Sequence, residues 1–99
     1  MAQVIEIAEF KMNGNPSDAE VVSAIVASTV FARDQDGFIS RTSTKKSDGL
    51  WVEIILWKDQ KSQDAAGAKF MADKRNANLM GMLDGSSFKM STYEVKLTS

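Results

Sequence analysis

One short run, residues 50–57, limits the folds open to this chain more than any other segment. It is the most apolar stretch of the sequence and is dense in residues that favour β-strands. Side chains of a strand alternate between two faces. Both faces of this run are mostly apolar, with Leu50, Val52, Ile54 and Leu56 on one and Trp51, Glu53, Ile55 and Trp57 on the other. Such a strand needs cover on both sides, so the run predicts the centre of a sheet.

The absence of histidine and cysteine removes several kinds of chemistry. Without cysteine the chain has no disulfide, no thiolate nucleophile and no thiolate metal site. Without histidine it lacks the commonest general base, the commonest zinc ligand and the usual proximal ligand of haem. We therefore expect neither a metal nor a cofactor.

Length and charge narrow the class of protein further. The 99 residues suit a single domain that covers residues 1–99. The net charge is −1 and no basic block occurs, so we expect no nucleic-acid partner. No apolar run approaches the ~20 residues of a membrane span, and the N-terminus lacks the layout of a secretory signal. These features predict a soluble cytoplasmic protein with no membrane partner.

The first third of the chain predicts a strand followed by a helix. Residues 4–12 alternate as a strand does, and the turn-forming residues 13–16 interrupt the pattern. Ser17 and Glu20 have the spacing of a capping box, in which each side chain bonds the backbone amide of the other. A helix over residues 18–34 follows, with small and apolar residues recurring at helical spacing.

The rest of the chain predicts two paired strands, a second helix and a last strand. Asp48-Gly49 is a hairpin signal between strands at residues 38–44 and 50–57. Ser62 is the predicted cap of the second helix. Residues 73–85 are ambiguous, and the one structure that the pattern suggests there is a short helical turn with Leu79, Met80, Met82 and Leu83. The last strand is predicted over residues 88–97.

The order β-α-β-β-α-β is the ferredoxin-like pattern of an α+β fold. Right-handed crossovers place both helices on one face of a four-stranded antiparallel sheet. The other face stays open, although its strands carry large apolar side chains, and such a patch is rare on a monomer. We therefore expect a homodimer in which two open sheet faces pack together.

Four short segments resemble the antibiotic-biosynthesis-monooxygenase-like families of the dimeric α+β-barrel superfamily. They are Gly37-Phe38-Ile39-Ser40-Arg41, Trp51-Val52-Glu53, Trp57 and Asp64-Ala65-Ala66. The resemblance implies a dimeric α+β barrel. It also implies one of several activities, since the superfamily holds cofactor-free oxygenases, haem-degrading enzymes, isomerases and proteins of unknown role.

The chain departs from two of these groups at specific positions. Haem-degrading relatives use a histidine near the end of the second helix, where this chain has Asn76 and Asn78, and an asparagine on the first strand, where it has residues 7–9. Haem turnover by that chemistry is therefore not expected. Quinone-forming relatives set Asn, Trp and Tyr around a phenolic substrate, and Trp57 alone can be matched to that set.

The candidate catalytic residues are Trp57 and Glu53. Trp57, like Trp51, would stack on an aromatic substrate or would anchor the core or a dimer interface, and the second role is favoured. A buried Glu53 would act as a general base, or it would form an ion pair with Arg41 on the neighbouring strand, and the ion pair is favoured. Glu6 and Glu9 invite the same two interpretations, and the sequence does not rank them.

The candidate ligand-pocket residues are Trp51, Arg41, Asn76, Asn78 and Tyr93. Tyr93 would orient a ligand hydroxyl or would be a half-buried strand residue. The two asparagines would hydrogen-bond a substrate at a pocket mouth or would form turns, and turns are favoured.

Two functions from different classes fit these features. The first is a cofactor-independent monooxygenase or isomerase that acts on a small aromatic or polyketide-like molecule. The second is a non-catalytic dimeric module that binds a small ligand or has a structural role. An open cleft with convergent polar groups would favour the first, and side chains that fill the same space would favour the second.

Overall fold

Four strands and three α-helices follow one another along the computed structural model, which describes residues 2–99. The elements are β1 (Val4–Phe10), α1 (Asp18–Arg33), β2 (Phe38–Lys45), β3 (Trp51–Trp57), α2 (Gln60–Phe70), α3 (Ala77–Met82) and β4 (Lys89–Glu94). Two 3-10 turns flank α3, at Lys74–Asn76 and Gly85–Ser87.

The strands form one antiparallel sheet in the order β2-β3-β1-β4. This is the ferredoxin-like arrangement that the element order predicts. Residues 51–57 of the apolar run form β3, which pairs with β1 on one side and with β2 on the other. Its position inside the sheet is confirmed.

The two faces of β3 differ in burial. Trp51, Glu53, Ile55 and Trp57 are buried, and they share their face with the buried residues Val4, Ala8 and Phe10 of β1. We call this side the helix face, because α1, α2 and α3 pack over it. The alternate residues form the open face, where Ile5, Ile7, Val52, Ile54 and Leu56 are only half-buried.

The two long helices begin at side-chain caps. In α1 the predicted capping box is present, since Ser17 Oγ accepts from the Glu20 amide at 3.2 Å and the Glu20 carboxylate accepts from the Ser17 amide. In α2 the predicted cap is wrong. The carboxylate of Asp59 caps this helix by accepting from the Ser62 amide at 2.8 Å, so Ser62 lies inside the first turn.

The segment left open by the sequence adds a third helix to the two predicted. It also ends β1 at Phe10 instead of Met12, because the end of α3 lies beside the chain there. The Asn13 amide donates to Met82 O, and the Asp84 amide donates to Lys11 O, both at 2.8 Å. Strand β4 is shorter than predicted, covering Lys89–Glu94 instead of residues 88–97.

The core consists of two apolar clusters on the helix face. The larger cluster joins α1, α3 and the ends of β1 and β3 nearest Phe10 and Trp51. The smaller one joins Val4, Ile55, Trp57 and Ala66. Within residues 2–99 no helix has both the length and the apolar character needed to cross a membrane.

Candidate active site

A cavity of about 440 Å³ lies between the helices and the helix face of the sheet, bordered by both core clusters. Its volume is within the usual range of small-molecule sites. Most of its wall is apolar, formed by aromatic, methionine and aliphatic side chains that include Phe10, Phe31, Ile55, Trp57, Phe70, Leu79 and Met80. Exposed residues mark its mouth at Met71, Phe88 and Met90.

The strand register places polar side chains across the floor of this cavity. Glu6 of β1, Ile55 of β3 and Arg41 of β2 lie opposite one another in a single row, which Thr92 of β4 continues beyond the cavity wall. Neighbouring strands lie about 4.8 Å apart, so Glu6 and Arg41 are separated by two strand spacings with Ile55 between them. The register therefore brings a carboxyl group and a guanidinium group to one apolar surface.

Glu6 is the acid on the cavity floor that is not paired with a cation. The indole nitrogen of Trp57 donates to its Oε1 at 3.0 Å. Within residues 2–99 no donor makes a hydrogen bond of good geometry to Oε2, and Gln63 of α2, which lies beside this carboxyl, donates instead to Thr92 Oγ1 at 3.0 Å. One carboxylate oxygen is thus held in place, and the other is available to a ligand.

Burial raises the pKa of Glu6 above its ordinary value of 4.5. The hydrogen bond from Trp57, the charge of Arg41 and the nearby amide of Gln63 act in the opposite direction, and the charge of Glu53 adds to the effect of burial. A carboxyl group with a raised pKa binds a proton more strongly than a solvated one does. Glu6 is therefore suited to accept a proton from a bound molecule.

Glu53 and Arg41 form the ion pair that the sequence favoured. Arg41 Nη2 donates to Glu53 Oε1 at 3.0 Å, and Ser43 Oγ donates to Oε2 of the same carboxylate. Arg41 Nη1 donates to Ser28 Oγ of α1 at 3.1 Å, whereas Arg41 Nε is buried without a partner. The side chains of Arg41 and Glu53 are 8% and 1% exposed. Since both oxygens of Glu53 are engaged, it is poorly placed to act as a general base.

The structure brings three of the predicted site residues, Trp57, Glu53 and Arg41, to the cavity. Trp51 lies outside it, in the larger core cluster, with the Lys45 ammonium 5.5 Å from its ring centroid. Tyr93 is exposed on β4, where it pairs with Ile5 of the open face. These two side chains do not line the cavity wall.

The two asparagines of the second half of the chain also lie outside the cavity wall. Asn76 is buried and donates through Nδ2 to Phe70 O at 2.9 Å, which ties the 3-10 turn to the end of α2. Asn78 borders a separate shallow depression with Glu20 and Met82. The predicted pocket of Trp57 and Glu53 with either asparagine therefore forms only in part.

Solved structures with a similar fold were found, whereas no family model and no curated protein matches the sequence. SnoaB, a cofactor-independent oxygenase from Streptomyces nogalater, superposes with a TM-score of 0.80 at 21% identity, over 99% of this chain and 97% of that one. This is the fold of the antibiotic biosynthesis monooxygenase-like structures. The resemblance seen in the sequence is confirmed at the level of the fold.

Two further structures of this antibiotic biosynthesis monooxygenase-like fold support the match. A proposed antibiotic biosynthesis monooxygenase from Bordetella bronchiseptica has a TM-score of 0.78 at 9% identity, over 98% of this chain and all of that one (100%). One from Caulobacter crescentus has a TM-score of 0.75 at 14% identity, over 97% and 92% of the two chains. The fold is shared along almost the whole chain, while few residues are.

Proposed function

We propose that this protein is a cofactor-independent monooxygenase that acts on a small aromatic or polyketide-like molecule with an acidic proton. The observation that carries the proposal is the Glu6 carboxyl group in the wall of the cavity, oriented by Trp57. The fold shared with SnoaB, a cofactor-independent oxygenase, supports the reaction class. That support is an analogy of fold, so the residue roles rest on this chain alone.

In the proposed reaction Glu6 removes a proton from the bound substrate and leaves an electron-rich anion. Dioxygen then reacts with the activated carbon, so that a CH2 group becomes a carbonyl and the second oxygen atom leaves as water. The electrons come from the substrate, and the sum is R2CH2 + O2 → R2CO + H2O. The apolar wall contributes by holding the substrate in one orientation and by excluding bulk water.

The alternative function, a non-catalytic ligand-binding or structural module, is supported less well. Side chains that filled the space between helices and sheet would favour a structural role, but a cavity of about 440 Å³ occupies that space. A non-catalytic binding protein would share the cavity and would differ in turnover. Ligand-dependent consumption of dioxygen therefore separates the two functions.

Binding of 2-naphthol tests the role of Glu6. We expect 2-naphthol to raise the thermal midpoint of the wild-type protein, because a ligand that binds only the folded state stabilises it. Its methyl ether, which has no proton to donate, should raise the midpoint less. Glu6→Gln should reduce this difference between the ligands, since a neutral amide oxygen accepts a hydrogen bond more weakly than a carboxylate and cannot take up the proton.

Glu9→Gln is the matched control for this experiment, because Glu9 lies on the same strand with its side chain on the open face. This variant should keep the full difference between 2-naphthol and its ether. Equal shifts for both ligands in the wild type would contradict the role of Glu6. Binding without any consumption of dioxygen across a panel of phenols and enolisable ketones would favour the non-catalytic alternative.

We also propose that the protein is a cytoplasmic homodimer in which two open sheet faces pack together. Ile5, Ile7, Val52, Ile54 and Leu56 form a continuous apolar stripe across β1 and β3. Serine and threonine of β2 border it on one side. An apolar centre with a polar rim is the usual composition of an interface between identical subunits.

A further inference from the structure

Among the described residues 2–99, four ionisable side chains border the cavity, and three of them are acids. They are Glu6, Glu53, Asp64 and Arg41. Glu6 lies on β1, Glu53 on β3, Asp64 on α2 and Arg41 on β2. Helix α1 contributes uncharged residues, Ser28, Phe31 and Ala32, of which Ser28 accepts a hydrogen bond from Arg41. In this part of the chain Arg41 is the one cation that a ligand in the cavity meets. Whether its charge is neutralised therefore decides which ligand charges the cavity accepts.

The charge of Arg41 is neutralised within the protein by an ion pair with Glu53. In the strand register Arg41 lies opposite Ile55, two residues beyond Glu53, so the acid and the base are diagonal neighbours on one face. Arg41 donates to Glu53 at 3.0 Å and to Ser28 at 3.1 Å, and both charged side chains are more than nine-tenths buried. Glu53 neutralises the cation before any ligand arrives.

We propose that Glu53 is a specificity-determining residue: by neutralising Arg41 it makes the cavity reject anionic ligands and accept neutral ones. This inference rests on the proposed function, because it concerns what the same cavity binds. An anion that enters the cavity loses its hydration in a mostly apolar site, and no uncompensated cation repays that cost. It also meets Glu6 and Asp64, whose negative charges repel it. A neutral molecule meets neither penalty.

The variant Glu53→Gln separates the charge of this residue from its shape. Glutamine has nearly the same volume, and its amide oxygen can still accept from Arg41. The negative charge disappears, however, and the charge of Arg41 is left without compensation beside the cavity. A carboxylate ligand should then gain a partner that the wild-type protein does not offer.

The test is isothermal titration with 2-naphthoate and with its neutral counterpart 2-naphthamide. We expect the wild-type protein to bind 2-naphthamide at least about tenfold more tightly than 2-naphthoate. Glu53→Gln should bind 2-naphthoate about tenfold more tightly than the wild type does. The double variant Arg41→Gln/Glu53→Gln, which removes both charges, should lose that gain.

In Glu53→Gln the carboxylate of Glu6 could pair with Arg41 and hide the expected gain. A second variant covers this case. In Glu6→Gln/Glu53→Gln neither acid can neutralise Arg41, so the gain in binding of 2-naphthoate should persist. The inference is overturned if wild-type protein does not prefer 2-naphthamide, or if neither Glu53→Gln nor Glu6→Gln/Glu53→Gln binds 2-naphthoate more tightly than the wild type. Failure of the proposed function appears separately, as absence of dioxygen consumption and of any dependence on Glu6.

Discussion

Replacing Arg41 with methionine is expected to lower the free energy of unfolding by about 3–5 kcal/mol, the range for breaking a buried ion pair on one side. Methionine fills much of the volume of the arginine, so the loss is chiefly electrostatic. Glu53, which is 1% exposed, would keep its hydrogen bond from Ser43 and lose its counter-charge. The midpoint of urea unfolding, measured by tryptophan fluorescence, reports the change.

The double variant Arg41→Met/Glu53→Gln is the control for this prediction. It removes the buried negative charge as well, so we expect it to recover most of the stability lost in Arg41→Met. Replacement of both charged partners is often neutral, whereas removal of one is costly. If Arg41→Met alone unfolded at the wild-type urea concentration, the pair would carry no energetic weight, and its assignment as a buried charge pair would be wrong.

Ile54→Asp is expected to weaken self-association by roughly a thousandfold, which corresponds to about 4 kcal/mol. Ile54 lies opposite Ile7 of β1 and Thr42 of β2, in the middle of the open face. In the proposed dimer each interface would then bury two unpaired carboxylates, because a twofold axis repeats every substitution. Sedimentation velocity over a range of concentrations measures the change.

Val26→Asp is the matched control, since Val26 is 58% exposed on the outer face of α1. It introduces the same charge away from the open sheet face and should leave association unchanged. Both variants should keep the wild-type circular dichroism spectrum. A wild-type protein that sediments as a folded particle of 10.9 kDa at every concentration would contradict the dimer.

Much of the fold can be predicted from the sequence because local patterns specify it. The alternation in residues 50–57 predicts both the central place of β3 and the face that carries Glu53. The spacing of Ser17 and Glu20 predicts the start of α1, which begins at Asp18. Each of these features depends on residues close together in the chain.

Most features that could not be predicted from the sequence depend on contacts between distant segments. The cap of α2 is a local exception: Asp59, extended two residues after the end of β3, accepts from the amide of Ser62 three residues further on. Helix α3 is short, and short helices gain most of their stability from packing against the rest of the protein.

The candidate site could be predicted only in part for the same reason. The ion pair between Arg41 and Glu53 joins adjacent strands of a hairpin, and the sequence favours it correctly. The bond between Trp57 and Glu6 spans 51 positions and depends on the register of β1 against β3. The available signal was weak: Glu6 is the one charged residue among Val4, Ala8 and Phe10 on the buried side of β1.

The titration of the Glu6 carboxyl carbon tests the role of Glu6 as proton acceptor most directly. It can be followed by NMR of glutamate-labelled protein, with the signal assigned by comparison with Glu6→Gln. We predict a midpoint above 4.5, because burial disfavours the charged form. The stability that the protonated group contributes is then complete below pH 4.5 and is lost as the pH rises through the folded-state pKa. Saturating 2-naphthol should move the midpoint. A midpoint at or below 4.5 that the ligand leaves unchanged would contradict the assignment of Glu6 as the proton acceptor of the cavity.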